Sequence, residues 1–224
     1  MTIGFRILGR KNSVDLQTAK KFLNFPVANV SDCMSRLTAG GSHIRPMHKT
    51  GQLAGPALTI KTRPGDNLML HKAIDLAEPG DIIVCDAGGD LTNSLMGELM
   101  LSHALKRGVG GFVLNGAIRD AEAFLDINLP VFAAGVSHRG PYKDGPGEIN
   151  VPIAIAGMVI EPGDLIIGDW DGVLSVPLKE VGTVLKKTEE KQAAEIEEMK
   201  KIEIGEWDRS WIDKVLKERG CEMP

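Results

Sequence analysis

The chain has 224 residues, 43% hydrophobic, 25% charged and 4% aromatic, with 26 basic against 30 acidic side chains and a formal charge of −4. That composition excludes a disordered or fibrous chain and suffices for a buried core without disulfides or a structural metal. An acidic, aromatic-poor chain also lacks the electrostatic and stacking footprint of nucleic-acid binding, so no nucleic-acid partner is expected. Cys33, Cys85 and Cys221 are widely separated and odd in number, and the N-terminus lacks the pattern of a signal peptide, so a reducing, cytoplasmic location is expected. The longest apolar run, residues 151–160, contains Pro152 and Gly157 and is about half a bilayer span, which argues against a membrane partner.

Apolar residues at helical spacing predict helices over 14–24 and 31–38, the second opened by Ser31 or Asp32. An extended segment from Leu53 to Thr62 precedes a short helix, Leu68 to Leu76, capped by Asp66 or Asn67. The sequence Glu78-Pro79-Gly80-Asp81 predicts a tight turn launching a strand from Ile82 to Cys85, and Glu161-Pro162-Gly163-Asp164 predicts a second turn of the same kind. After the Gly-rich break at 86–90, Leu95 to Arg107 reads as a long helix ended by Gly108 and Gly110. Phe112 to Leu114 reads as a strand broken by Gly116, Ala121 to Leu125 as a helical turn, and Pro130 to Ala134 as a strand. Beyond the polar loop 138–150, apolar pieces around 151–160, 164–168 and 172–177 predict hairpins, with Asp171-Gly172 as turn residues rather than a cation site. The Lys/Glu-rich stretch 178–201 reads as an amphipathic surface helix. In a last helix, Trp207 to Arg219, the stripe Trp211, Ile212, Val215 and Leu216 needs a packing partner, another subunit being one choice.

The order strand, Gly-rich break, helix, strand over 82–114 is a β-α-β unit, which places the loops 86–94 and 115–120 side by side at the carboxyl ends of parallel strands. Gly97-Glu98-Leu99-Met100 lies near the helix N-terminus, where free amides and the dipole favour an anion. Arg119 offers a planar fork for a carboxylate or developing enolate, and Asp120 a hard oxygen ligand for a divalent cation. Taken alone, Arg119-Asp120 fits a local ion pair at a helix start equally well, and Glu98 fits simple dipole compensation.

Glu98, followed after twenty residues by Arg119-Asp120 and then by a further acid, Asp126, resembles the acid-x20-Arg-Asp signature of the RraA-like family, which includes the class II 4-hydroxy-4-methyl-2-oxoglutarate aldolases. The surrounding residues, Asp81 to Gly89 and Gly97 to Asp120, strengthen the likeness. The resemblance covers residues 25–177 of a single domain spanning 1–224, with 178–224 as a helical extension. It implies an α/β layered sandwich on a swivelling-type β/β/α core, with N- and C-terminal helices, assembled as a homotrimer or homohexamer with sites at subunit clefts. It also implies a 2-oxo acid substrate bound by Gly97, Glu98, Leu99, Met100 and Arg119. The cofactor implied is a divalent cation, Mg²⁺ or Mn²⁺, on Asp120, and Glu98 would move a proton through a metal-bound water. Glu98 departs from the family's usual Asp by one methylene. The resemblance further implies an acid from a neighbouring C-terminal region, for which Glu189, Glu190, Glu195, Glu197 and Glu198 are all candidates.

The expected activity is a metal-dependent pyruvate-type aldolase with oxaloacetate decarboxylase activity through a stabilised enolate. The alternative is a non-catalytic, protein-binding regulator of ribonuclease E, as other RraA-like proteins are. No lysine falls in either strand-end loop, which weighs against a Schiff-base aldolase. His43, His48, His71, His103 and His138 lack metal-ligand spacing and read as ordinary surface or helix residues. Gly88-Gly89 reads as a turn without a phosphate-loop motif, and Cys85 as a small core residue.

Overall fold

The computed structural model describes residues 3–223. In chain order it begins with β1 (Phe5–Ile7), α1 (Leu16–Lys21), α2 (Val27–Cys33), β2 (Arg45–Pro46), β3 (Leu53–Thr62) and α3 (Leu68–Leu76). There follow β4 (Ile82–Asp86), β5 (Ser94–Met96), α4 (Glu98–Arg107), β6 (Gly111–Ile118), α5 (Ala121–Ile127) and β7 (Val131–Val136). The chain continues through β8 (Gly147–Ile149), β9 (Ile153–Ile155), β10 (Met158–Ile160), β11 (Leu165–Asp169), β12 (Gly172–Val176), α6 (Val181–Glu203) and α7 (Ser210–Glu218).

The first compact unit, which runs to Thr188, is organised by four parallel strands in the order β3-β4-β6-β7. Every residue of β4 and β6 is buried, as expected of strands covered on both faces. On one face Ile83, Cys85, Phe112 and Leu114 pack against Leu70 and Ile74 of α3, Leu101 and Ala104 of α4, and Phe124 of α5. On the other, Ile82, Val84, Val113 and Phe132 meet Ile44 and the β9-β10 hairpin. A third cluster packs α1, α2 and Val181 and Val184 of α6 around the β11-β12 hairpin. The result is a layered α/β sandwich, helices on one face of a large sheet and β-hairpin structure on the other, in agreement with the predicted architecture. Among the described residues, no helix is long and apolar enough to cross a membrane.

Both Pro-Gly turns close in the same way. The carboxylate of Asp81 accepts from the amide of Glu78 at 2.9 Å, and that of Asp164 accepts from Glu161 at 2.9 Å. Each buried Asp thus satisfies the turn that starts its strand.

Several local expectations are corrected. The helix expected over 31–38 lies earlier, at Val27–Cys33, because Asp169 reaches across 142 residues to accept from the Val27 amide at 2.8 Å. The chain then unwinds through Ser35 and Arg36, both at positive φ, and Leu37 is 88% exposed. The N-terminal helix is only Leu16–Lys21, extended by a 3₁₀ turn. Leu95 and Met96, expected to start the helix that ends at Arg107, belong instead to the short strand β5 beside β6. Gly116 does not break β6; a Cβ there would lie 2.6 Å from Cδ1 of Leu95, so the missing side chain is what lets β5 pack against β6. The 138–150 loop ends in β8, which extends the sheet beyond β3. His48 is a buried core residue, its ring hydrogen-bonding the backbone of Val131 and Gly51.

The second unit, from Glu189 onward, holds the remainder of α6 and then α7. Glu195 pairs with Lys191 and Glu197 with Lys200, each at 2.6 Å, and Met199, Trp207 and Trp211 are exposed.

Asp66 is the most committed carboxylate in the fold. Fully buried, it accepts from the amides of Leu68 (2.9 Å), Asp144 and Gly145 (both 2.8 Å) and from Arg63 (3.1 Å), fixing the start of α3 to the loop before β8. Asp66→Ala strands these donors and should cost about 2–4 kcal/mol, read as a lowered midpoint in urea unfolding.

Candidate active site

A cavity of about 310 Å³ opens where the N-terminus of α4, the end of β6, the start of α3 and the loop before β8 meet. All six residues singled out in the sequence, Gly97, Glu98, Leu99, Met100, Arg119 and Asp120, line it. The β-α-β topology brings the two segments together, and local chemistry sets their distances.

Strand β6 ends as the Arg119 amide donates to the carbonyl of Met96 at 2.9 Å, locking the two segments side by side. The next residue, Asp120, adopts φ 57° and ψ 42°, a left-handed conformation that Asp tolerates better than most residues. Its carboxylate accepts from the Glu98 amide at 3.1 Å, capping α4 from outside the helix. Gly97 makes this approach possible, since a Cβ there would lie 2.5 Å from Oδ2 of Asp120 and 3.1 Å from Arg119. The amides of Leu99 and Met100, also in the first turn, have no intrahelical acceptor and stand at the positive end of the helix dipole. Nε of Arg119 lies 3.8 Å from Asp120, and the two side chains are 44% and 46% exposed, so both retain freedom to meet a ligand.

Glu98 lines both this cavity and a second cleft of about 510 Å³ that Glu122 and Asp126 also line. Asp126 does not join the first cavity and pairs loosely with Lys49 at 3.4 Å. Among the described residues no three His, Cys, Asp or Glu side chains gather into a cage for a cation. A single half-exposed carboxylate fits Mg²⁺ or Mn²⁺, which keeps most of its waters, and does not fit a structural zinc.

Among the other residues that line the cavity are Asn67, His71 and Lys143, which the sequence did not point to as functional. Asn67, expected only as a helix cap, is buried and donates from Nδ2 to the Leu95 carbonyl at 2.9 Å and to Sδ of Met100 at 3.4 Å, tying α3 to both sides of Gly97. His71 is four residues further along the same helix; burial, and then the charge of Lys143, hold its imidazole below the ordinary histidine value. The Asn67–His71 spacing carries the only signal for the pair, and nothing local marks Lys143. Cys85 lies in the core, its thiol pushed far up by burial, and is inert.

Gly97 sits at φ −139°, a backbone any residue adopts, so Gly97→Ala tests the contact with Asp120 without backbone strain. The substitution should leave thermal stability nearly unchanged and weaken oxalate binding in the presence of Mg²⁺ about tenfold or more, measured by calorimetry.

The family model described as "RraA-like: Aldolase/RraA" matches residues 27–175. A protein of Halalkalibacterium halodurans named "Putative 4-hydroxy-4-methyl-2-oxoglutarate aldolase" is 41% identical over 182 residues, covering 81% of this chain and 87% of that protein. The structure of an uncharacterized protein from Pseudomonas syringae pv. tomato superposes with a TM-score of 0.78 at 24% identity, covering 87% of this chain and 96% of the other. The RNA-processing inhibitor RraA from Thermus thermophilus superposes with a TM-score of 0.63 at 26% identity, covering 68% and 92%. With its Arg119-Asp120 pair set against the Gly97-Met100 turn inside the matched segment, the chain belongs to the RraA-like family.

Proposed function

We propose that the protein is a divalent-metal-dependent aldolase, a carbon–carbon lyase that cleaves 4-hydroxy-4-methyl-2-oxoglutarate or a related 4-hydroxy-2-oxo acid to pyruvate and also decarboxylates oxaloacetate. The reading is carried by the convergence of a guanidinium, a carboxylate and a helix N-terminus on one small cavity. The name of the Halalkalibacterium relative supports the aldolase part of it.

In this mechanism the free amides at the start of α4 hold the substrate carboxylate, and the Arg119 guanidinium faces the C2 oxygen. The C4 hydroxyl loses its proton, the C3–C4 bond breaks, and the electron pair moves onto the C2 oxygen to give pyruvate enolate, which is then protonated at C3. Arg119 stabilises charge that is fully developed only after bond breaking, so its effect falls mainly on the transition state. Glu98, with no ion pair among the described residues, moves the proton through one water molecule. Asp120 would hold a Mg²⁺ or Mn²⁺ ion, which would supply Lewis-acid stabilisation of the enolate charge. The proposal includes a homotrimeric or homohexameric assembly, supported by the exposed apolar side chains of the second unit.

Pyruvate release from 4-hydroxy-4-methyl-2-oxoglutarate and from oxaloacetate should cease with EDTA and return with Mg²⁺ or Mn²⁺. Arg119→Ala should lower kcat/KM about 10²- to 10³-fold. An adduct trapped on Lys143 by borohydride would replace the metal route, and absence of turnover together with tight binding to ribonuclease E would replace the enzyme reading with the regulator.

A further inference from the structure

The cavity contains a second cation that the reaction as derived does not use. Lys143 lines it together with Arg119 but reaches it from the loop before β8, whereas Arg119 comes from the end of β6. No carboxylate of the described residues pairs with Lys143. The acids near it are engaged elsewhere: Asp66 holds backbone amides, Asp75 faces His103 at 3.4 Å, and Asp144 faces Arg63 at 3.9 Å.

The loop that carries Lys143 is fixed on both sides of it. Upstream, the Tyr142 amide donates to the Gly65 carbonyl at 2.8 Å and the Asn67 amide donates back to the Tyr142 carbonyl at 3.0 Å, while Arg63 stacks over the Tyr142 ring at 5.8 Å. Downstream, the amides of Asp144 and Gly145 are held by Asp66. Further back, the Arg139 carbonyl accepts from the amide and hydroxyl of Ser94 at 2.8 and 3.0 Å. This is a wall built against the site rather than a lid over it, and it presents an unpaired ammonium at one position. His71 adds a neutral imidazole beside that ammonium and no opposing charge.

We infer that Lys143 is the specificity-determining residue for the second carboxylate that the substrates proposed above already carry, at the end remote from the pyruvyl unit. The assignment rests on the aldolase reading above for which end of the ligand is which. A cation on pinned backbone forms its hydrogen bond with little reorganisation, and solvent exposure keeps the effect moderate.

The test uses two 2-oxo acids of equal chain length, 2-oxoglutarate and 2-oxopentanoate, titrated calorimetrically into the full-length protein with Mg²⁺ present. The wild-type protein should bind the diacid about tenfold more tightly. Lys143→Met should bring that ratio close to one, and Lys143→Arg should restore most of it. Equal binding of the two acids by the wild type, failure to bind either, an unchanged ratio in Lys143→Met, or an equal loss for both ligands in that variant would each overturn the assignment. Pyruvate release from 4-hydroxy-2-oxo acids is measured separately. A diacid preference lost in Lys143→Met without any cleavage sinks the aldolase reading and keeps Lys143 in its role, whereas cleavage without the preference sinks the role of Lys143 alone.

Discussion

One hydrogen bond, from the Glu98 amide to the Asp120 carboxylate, holds the site in its working arrangement. It joins two segments that leave different strands, and it exists only because Gly97 removes the side chain that would stand between them. The bond orients the Asp120 carboxylate, leaves the next amides of α4 free, and sets Arg119 beside both. A left-handed residue at Asp120 turns its side chain back toward the helix, so the geometry of the candidate site is set by a backbone conformation rather than by a flexible loop.

The rest of the first unit acts as the support for that contact. Parallel β4 and β6, buried on both faces, fix the height at which the two segments emerge. Asp66 and Asn67 perform the corresponding task on the other wall, the first by holding the loop before β8, the second by tying α3 to Leu95 and Met100. Asp66, with each of its partners at hydrogen-bond distance, makes that wall rigid, because releasing it leaves unsatisfied donors in the interior.

Glu98, Arg119 and Asp120 line one cavity, as their places at neighbouring strand ends suggest. That neighbourhood was legible because a strand, a Gly-rich loop and a helix N-terminus can be placed from consecutive residues, whereas a chemical role for the three came from the family resemblance. The helix over 68–76, the extended segment over 53–62 and both Pro-Gly turns were legible for the same reason, each marked by its own capping or turn residues. Where local reading failed, a distant partner had decided the outcome. Asp169 moved the start of α2, and pairing with β6 turned Leu95 and Met96 from helix into strand.

The sequence alone therefore determined the α/β class, the turn chemistry, and the placing of Glu98, Arg119 and Asp120 at neighbouring strand ends, since periodicity and turn residues encode these within a few positions. The tertiary structure decided the opposite wall. Asn67, His71 and Lys143 meet only because α3 and the loop before β8 fold onto the same edge, and the 75 residues between Asn67 and Lys143 carry no spacing rule that could have announced it.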